Sequence, residues 1–197
     1  MQPLPFVYPY AAIFWVAYGL CYLQELTVLT PRKPKRDESW QQDRGSYRLI
    51  VGGLWICACV AFYGAVKVPA AGFQSGRVGW FWVGVILIAA GTVLRRHCFT
   101  MLGRHFRPVV SVTAGQPVIE RGAYHWVRHP SYLASTMVML GMGLALTNWI
   151  SLIALGIVPL GIVAYRIRVE ERALVETLGQ PYRNYMTRTK RLIPFLF

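Results

Sequence analysis

Five apolar runs divide this chain, and its basic residues gather in every second gap between them. The runs are Tyr8–Leu29, Leu49–Ala70, Val78–Leu94, Tyr132–Leu146 and Trp149–Tyr165. A helix needs roughly 17–25 mostly apolar residues to cross a bilayer. The first three runs meet that length singly. The last two are parted only by Thr147 and Asn148 and are too long together for one crossing, so they read as a tight helical hairpin. Pro159 is expected to kink its second arm, because proline gives no backbone N–H and crowds the preceding turn. Trp15, Trp55, Trp80, Trp82 and Trp149 lie in or beside the runs, and several suit an interfacial belt.

Of the 21 lysines and arginines, six lie in the first connection, Thr30–Arg48, and six in the third, Arg95–Ser131. Seven lie in the tail from Arg166, and only Lys67 and Arg77 in the second connection. Positive charge collects on the cytosolic side of membrane proteins. The pattern therefore predicts an all-α polytopic membrane protein with about five transmembrane helices, the N-terminus outside and the C-terminus cytosolic. It predicts one domain, 1–197, with segments 95–131 and 166–197 in the cytosol. The first two runs carry hydropathy alone and point to nothing beyond topology.

The net charge of +13 would suggest a nucleic-acid partner in a soluble protein. Here topology and attraction to anionic lipid explain it, so no nucleic acid is expected. A channel or another non-catalytic membrane scaffold should carry charged groups along a path through its spans. Glu25, near the end of the first run, is the one acidic residue within them. The chain has no G-x-G-x-x-G after a strand pattern, no P-loop and no H-E-x-x-H. His97, His105, His125 and His129 lack ligand spacing, so no metal is expected. Cys21, Cys57, Cys59 and Cys98 form no disulfide pattern, and no basic stretch precedes the first run as in a signal peptide. Gly84 and Gly91 read as helix-packing positions, and Gly141-Met142-Gly143 permits close helix contact.

The cytosolic segments hold the chemistry. In "HWVRHPSYLAS", Pro130 bars His129 from helical geometry and suits the first helical turn. His129 then sits at a helix N-terminus, where N–H groups favour an anion. Arg128 and the aromatics could equally be a simple interfacial anchor. In the tail, "RIRVEERALVETLGQPY" reads as a helix leaving the membrane, with Gly179 just past its end and Pro181 beyond. Arg166 and Glu170 share one face of it. A solvated ion pair is the bland alternative.

From Leu94 onward the chain carries LRRHCFTMLGRHF, Gly122-x-Tyr124, Arg128-His129-Pro130-x-Tyr132, Asn148, Glu170-Glu171, Leu174, Gly179, Tyr182, Tyr185 and Pro194. This resembles the isoprenylcysteine carboxyl methyltransferase family of integral membrane enzymes, with phospholipid methyltransferases as more distant relatives. The resemblance implies S-adenosyl-L-methionine as methyl donor, bound in a cytosolic pocket between the third connection and the C-terminal helix. It assigns Gln116, Pro117, Val118 and Ile119, then Tyr124, His129, Pro130, Ser131, Tyr132 and Glu170, to that donor. It assigns Arg166 and Asn148 to the acceptor; as the catalytic arginine that orients the acceptor, Arg166 is expected, with Arg128 as a second candidate. Val109 stands where some relatives have a polar contact, and Ala134 where a glycine is frequent. A carboxylate acceptor is ionised at a pKa near 4 and needs orienting but no general base. A guanidinium fork orients a carboxylate well. The expected acceptor is therefore lipophilic, a prenylated cysteine carboxylate, presented at the membrane with lipid as neighbour. N-methylation of a phospholipid or amine, and S-methylation of a thiol, remain open on the same scaffold.

Overall fold

The computed structural model describes residues 2–29, 43, 45–103, 110, 112 and 115–193. Among them there is no strand, only isolated bridges at Gly72–Asn148 and Val127–Lys190. The architecture is helical: α1 Tyr10–Leu29, α2 Ser46–Lys67, α3 Arg77–Leu102, α4 Pro130–Ala145, α5 Trp149–Leu178 and α6 Gln180–Arg188. Short 3-10 turns lie at Leu4–Phe6, Pro69–Ala71 and Gly122–His125.

Each apolar run has become a helix, with shifted ends. α3 runs to Leu102, eight residues past the apolar run, and carries Arg95 and Arg96 on a helical surface. Among the described residues, three helices are long and apolar enough to cross a membrane: α2, α3 and α5. α1 has 20 residues, with Gln24 and Glu25 before its last, mostly apolar turn. α4 has 16 residues, about 24 Å of helix, short of a hydrocarbon core of about 30 Å.

α3 and α4 pack closest, through glycine. A Cβ on Gly84 would stand 2.5 Å from the Gly141 carbonyl oxygen, and one on Gly91 2.7 Å from that of Ala134. The small residues thus seat one helix of this chain on another, and Gly141 is used within the chain. Ala134 is fully buried there.

The hairpin tip is built as its sequence suggests, and tightly. Thr147 takes a left-handed φ of 50°, and its carbonyl accepts from the Phe73 amide. Asn148 caps α5, accepting from the amides of Ile150 and Ser151. The expected disturbance at Pro159 takes the form of a π-helical stretch, Ile153–Ile157, just before it. Proline cannot donate into an α-helical ladder, and the widened turn absorbs that loss. α5 then continues unbroken to Leu178, and Gly179 (φ 63°) turns the chain into α6.

Candidate active site

Most of the predicted site residues gather around a cavity of about 310 Å³ where α2, α3, α4 and α5 meet the third connection and α6. Gln116, Pro117, Val118 and Ile119 form one wall, and Tyr124, Arg128, His129, Ser131 and Tyr132 another. Arg166 and Glu170, one helical turn apart on α5, complete the predicted set. Two predicted residues are placed elsewhere. Pro130 is buried as the first residue of α4 and is not among the lining residues. Asn148 lies beyond the far end of α4, about 24 Å of helix away. Its amide donates to the carbonyls of Gly64 (3.2 Å) and Val68 (3.1 Å) while its oxygen caps α5. Assigning Asn148 to the acceptor is therefore corrected: it ties the hairpin tip to α2. Val109 and Pro194 lie outside the described residues.

The walls are fixed by charge. Glu171, buried beside the site, accepts from Arg128 Nε at 2.8 Å and Arg191 Nε at 2.9 Å, and His129 Nε2 stands 3.4 Å from it. Arg128 Nη1 also donates to the carbonyls of Met186 (3.0 Å) and Thr189. The amides of Arg128 and His129 donate to the carbonyls of Lys190 (2.8 Å) and Arg191 (3.0 Å). The RHP segment is thus a clasp that lays the tail against the third connection. His129 does precede α4, as Pro130 requires, but its ring turns toward Glu171. The expected pairing of His129 with an anion at this helix start therefore gives way to pairing with a carboxylate of this chain. Arg128 lines the cavity while its Nε and Nη1 donate to Glu171 and to carbonyls of the tail.

Arg166 is 3% exposed. Its Nη1 donates to Asp43 and Ser46, and its Nε donates to Tyr132 Oη at 3.1 Å. Tyr132 Oη in turn donates to Glu170 Oε2 at 2.7 Å. Arg95 Nη1 donates to Ser131 Oγ (3.0 Å) and Ser135 Oγ (2.6 Å), and its other side pairs with Glu25. Every arginine lining the cavity therefore has its own carboxylate: Glu25 for Arg95, Glu171 for Arg128, Asp43 for Arg166. Of the two lining carboxylates, Glu170 forms no ion pair within 4 Å among the described residues, although its charge acts on Arg166 one turn away. Its Oε1 takes no hydrogen bond from them.

Burial opposes ionisation of Asp43, but the amides of Tyr47 and Val110 and the Arg166 guanidinium together hold its carboxyl below the usual range. Burial pushes the phenols of Tyr124, Tyr182 and Tyr185 well above the ordinary tyrosine value, and nearby carboxylates add to the shift. These phenols stay protonated and offer aromatic faces and hydroxyls, not bases.

Sequence reasoning missed the contribution of the first half. Glu25 from α1, Tyr47, Ile50, Val51 and Leu54 from α2, and Arg95 from α3 all line the cavity. The first two runs thus do more than set topology. One signal was present: an acidic residue in an apolar run is costly without a partner, and Glu25 has one in Arg95. Asp43 and Ser46 sit in a charged connection, where nothing in the sequence singles them out.

Residues 82–176, which hold α4 and most of α3 and α5, match a known family model. It is that of the isoprenylcysteine carboxyl methyltransferase family. The chain is 30% identical over 129 residues to protein-S-isoprenylcysteine O-methyltransferase B of Arabidopsis thaliana, covering 63% of this chain and 66% of that one. It is 31% identical over 116 residues to protein-S-isoprenylcysteine O-methyltransferase of Saccharomyces cerevisiae, covering 58% and 48%. The chain thus spans from about half to just under two thirds of the length of these relatives. The fold matches that of a eukaryotic intramembrane Ras methyltransferase, an isoprenylcysteine carboxyl methyltransferase, with a TM-score of 0.68, covering 98% of this chain and 70% of the other at 20% identity.

Proposed function

We propose that this chain transfers a methyl group from S-adenosyl-L-methionine to the carboxylate of a lipophilic, isoprenylcysteine-like acceptor. The observation that carries the reading is the carboxylate of Glu170, which lines the cavity without a direct ion pair while every lining arginine has one to another carboxylate. An anion with an open acceptor oxygen suits the ammonium or ribose hydroxyls of this cationic donor. Tyr124, Tyr132 and Tyr182 supply aromatic faces, which attract cations. Gln116 to Ile119 supply a mostly apolar wall of the kind a flat base packs against. The residues present therefore fit the donor.

Ile50, Val51, Leu54, Met139 and Val163 give the cavity an apolar side that comes from the membrane helices. That side suits a prenyl chain, and the named relatives act on isoprenylcysteine. When bound, the donor supplies a methyl group on a sulfonium; the acceptor oxygen takes it, and the carbon–sulfur electron pair stays on sulfur. The protein's part is to align the two, which is where much of the rate of such a transfer arises. Arg166 places positive charge where an acceptor carboxylate would be oriented. An amine acceptor would have to lose a proton. The phenols here stay protonated and His129 faces Glu171, so the carboxylate reading is favoured.

Five crossings, with the N-terminus outside and the site at the cytosolic face, complete this reading. They rest on the alternation of basic connections. The test is titration of detergent-purified protein with S-adenosylhomocysteine, followed by assay of methyl ester formation on a small isoprenylcysteine. Saturable binding and ester formation support the proposal. Absence of both in folded protein would refute it.

A further inference from the structure

We infer that Asp43, in the first connection, is a positioning residue for the proposed methyl transfer, acting through Arg166. The inference rests on the methyl-transfer reading. Asp43 lies outside residues 82–176 and 123 positions from its partner, and it is fully buried. Its carboxylate accepts from the Tyr47 amide (2.8 Å), the Ser46 hydroxyl (3.1 Å) and the Val110 amide (3.1 Å) as well as from Arg166. The first turn of α2 and the third connection therefore fix the carboxylate, and the carboxylate fixes the guanidinium.

The alternative anion for Arg166 is Glu170, one turn along α5, whose charge already acts on the guanidinium but whose hydrogen-bonded link to it runs through Tyr132 Oη. A buried guanidinium without a direct counter-charge is costly and would move toward the nearest anion. Without Asp43 that anion is Glu170, the group proposed to hold the donor. Asp43 thus does two things at once: it keeps Arg166 on the acceptor side, and it leaves Glu170 unspent. The chain Asp43–Arg166–Tyr132–Glu170 joins the acceptor side of the cavity to the donor side.

The test compares wild type, Asp43→Asn, Arg166→Gln and the double variant. Ester formation on a small isoprenylcysteine, S-adenosylhomocysteine affinity and thermal unfolding are measured for each. Asparagine keeps the size and an oxygen to accept from the Tyr47 amide, so a pure capping role would lose little. The expected result for Asp43→Asn is a kcat at least tenfold lower and a weaker S-adenosylhomocysteine affinity, with the melting temperature near wild type. Because Asp43 acts through Arg166, the double variant should turn over no more slowly than Arg166→Gln alone; residues that act as one unit are non-additive in this way.

Wild-type turnover in Asp43→Asn overturns the inference. Losses that multiply in the double variant overturn it too, as does a collapse of stability, because each describes a role independent of Arg166. If wild type itself makes no ester, the methyl-transfer reading falls and takes this inference with it. If wild type is active and Asp43→Asn equally so, this inference falls alone.

Discussion

Glu170 and Arg166 are neighbours on one helical face with opposite circumstances. Arg166 is held on two sides, while Glu170 keeps an unpaired oxygen turned to the cavity. Glu170→Gln should therefore weaken S-adenosylhomocysteine binding at least tenfold by calorimetry, since a charge-assisted hydrogen bond is worth about 1.5–3 kcal/mol. Arg166→Gln should leave that affinity within a few-fold of wild type and lower kcat. If instead Arg166→Gln abolishes donor binding, the division of the cavity into donor and acceptor sides is wrong. Asn148 is the contrasting case. Its resemblance to a family position suggested the acceptor, yet its side chain is spent on two amides and two carbonyls at the hairpin tip. Asn148→Ala should lower stability by about 1–2 kcal/mol, as lost caps do, and leave kcat unchanged. A motif shows that a position is constrained but not by what. A side chain able both to cap a helix and to bind a ligand looks the same in sequence.

At the scale of elements, the helices were legible and their ends were not. Apolar runs mark where lipid or core is met, whereas a helix continues wherever backbone bonding allows. α3 therefore overran its run and delivered Arg95 to the site. The glycines on α3 were readable as packing positions, but their partner was not, because small residues look alike in every register. The close approach makes a firm prediction. Gly84→Val should cost about 1–3 kcal/mol or abolish folding, because its Cβ would strike backbone atoms that no side-chain rotation can move aside. Gly79, with nothing within 4 Å of an added Cβ, should accept alanine with little change in melting temperature. Equal tolerance at Gly79 and Gly84 would contradict the packing of α3 on α4. The clasp between the RHP segment and the tail was not readable at all. It depends on backbone bonds between residues about sixty positions apart, and such bonds leave no trace in side-chain type.

At the scale of the molecule, the two halves of the chain differ in what they disclose. Everything from Leu94 onward could be compared with a known pattern, and most of its assigned residues do meet in one cavity. The first half offered hydropathy and charge, yet it contributes Glu25, Tyr47 and, behind Arg166, Asp43. Those contributions tie the site to topology. α2 begins beside Asp43 and ends at the hairpin tip, where Asn148 donates to its last carbonyls, and α4 starts at the cavity and ends at the same tip. The cavity and the tip therefore occupy opposite ends of the helical body. Among the described residues, Arg95, Arg128 and Arg166 line the cavity, and Lys67 and Arg77 lie at the other end. If basic residues mark the cytosol, the cavity opens there and the tip faces outward. Single cysteines in a cysteine-free background would read this directly. In sealed, oriented vesicles, one at Gln74 should be labelled from outside by a membrane-impermeant thiol reagent, and one at Asn184 only from the cytosolic side. Labelling of both from one side would place the cavity and the tip on the same face of the membrane, which this arrangement of helices forbids.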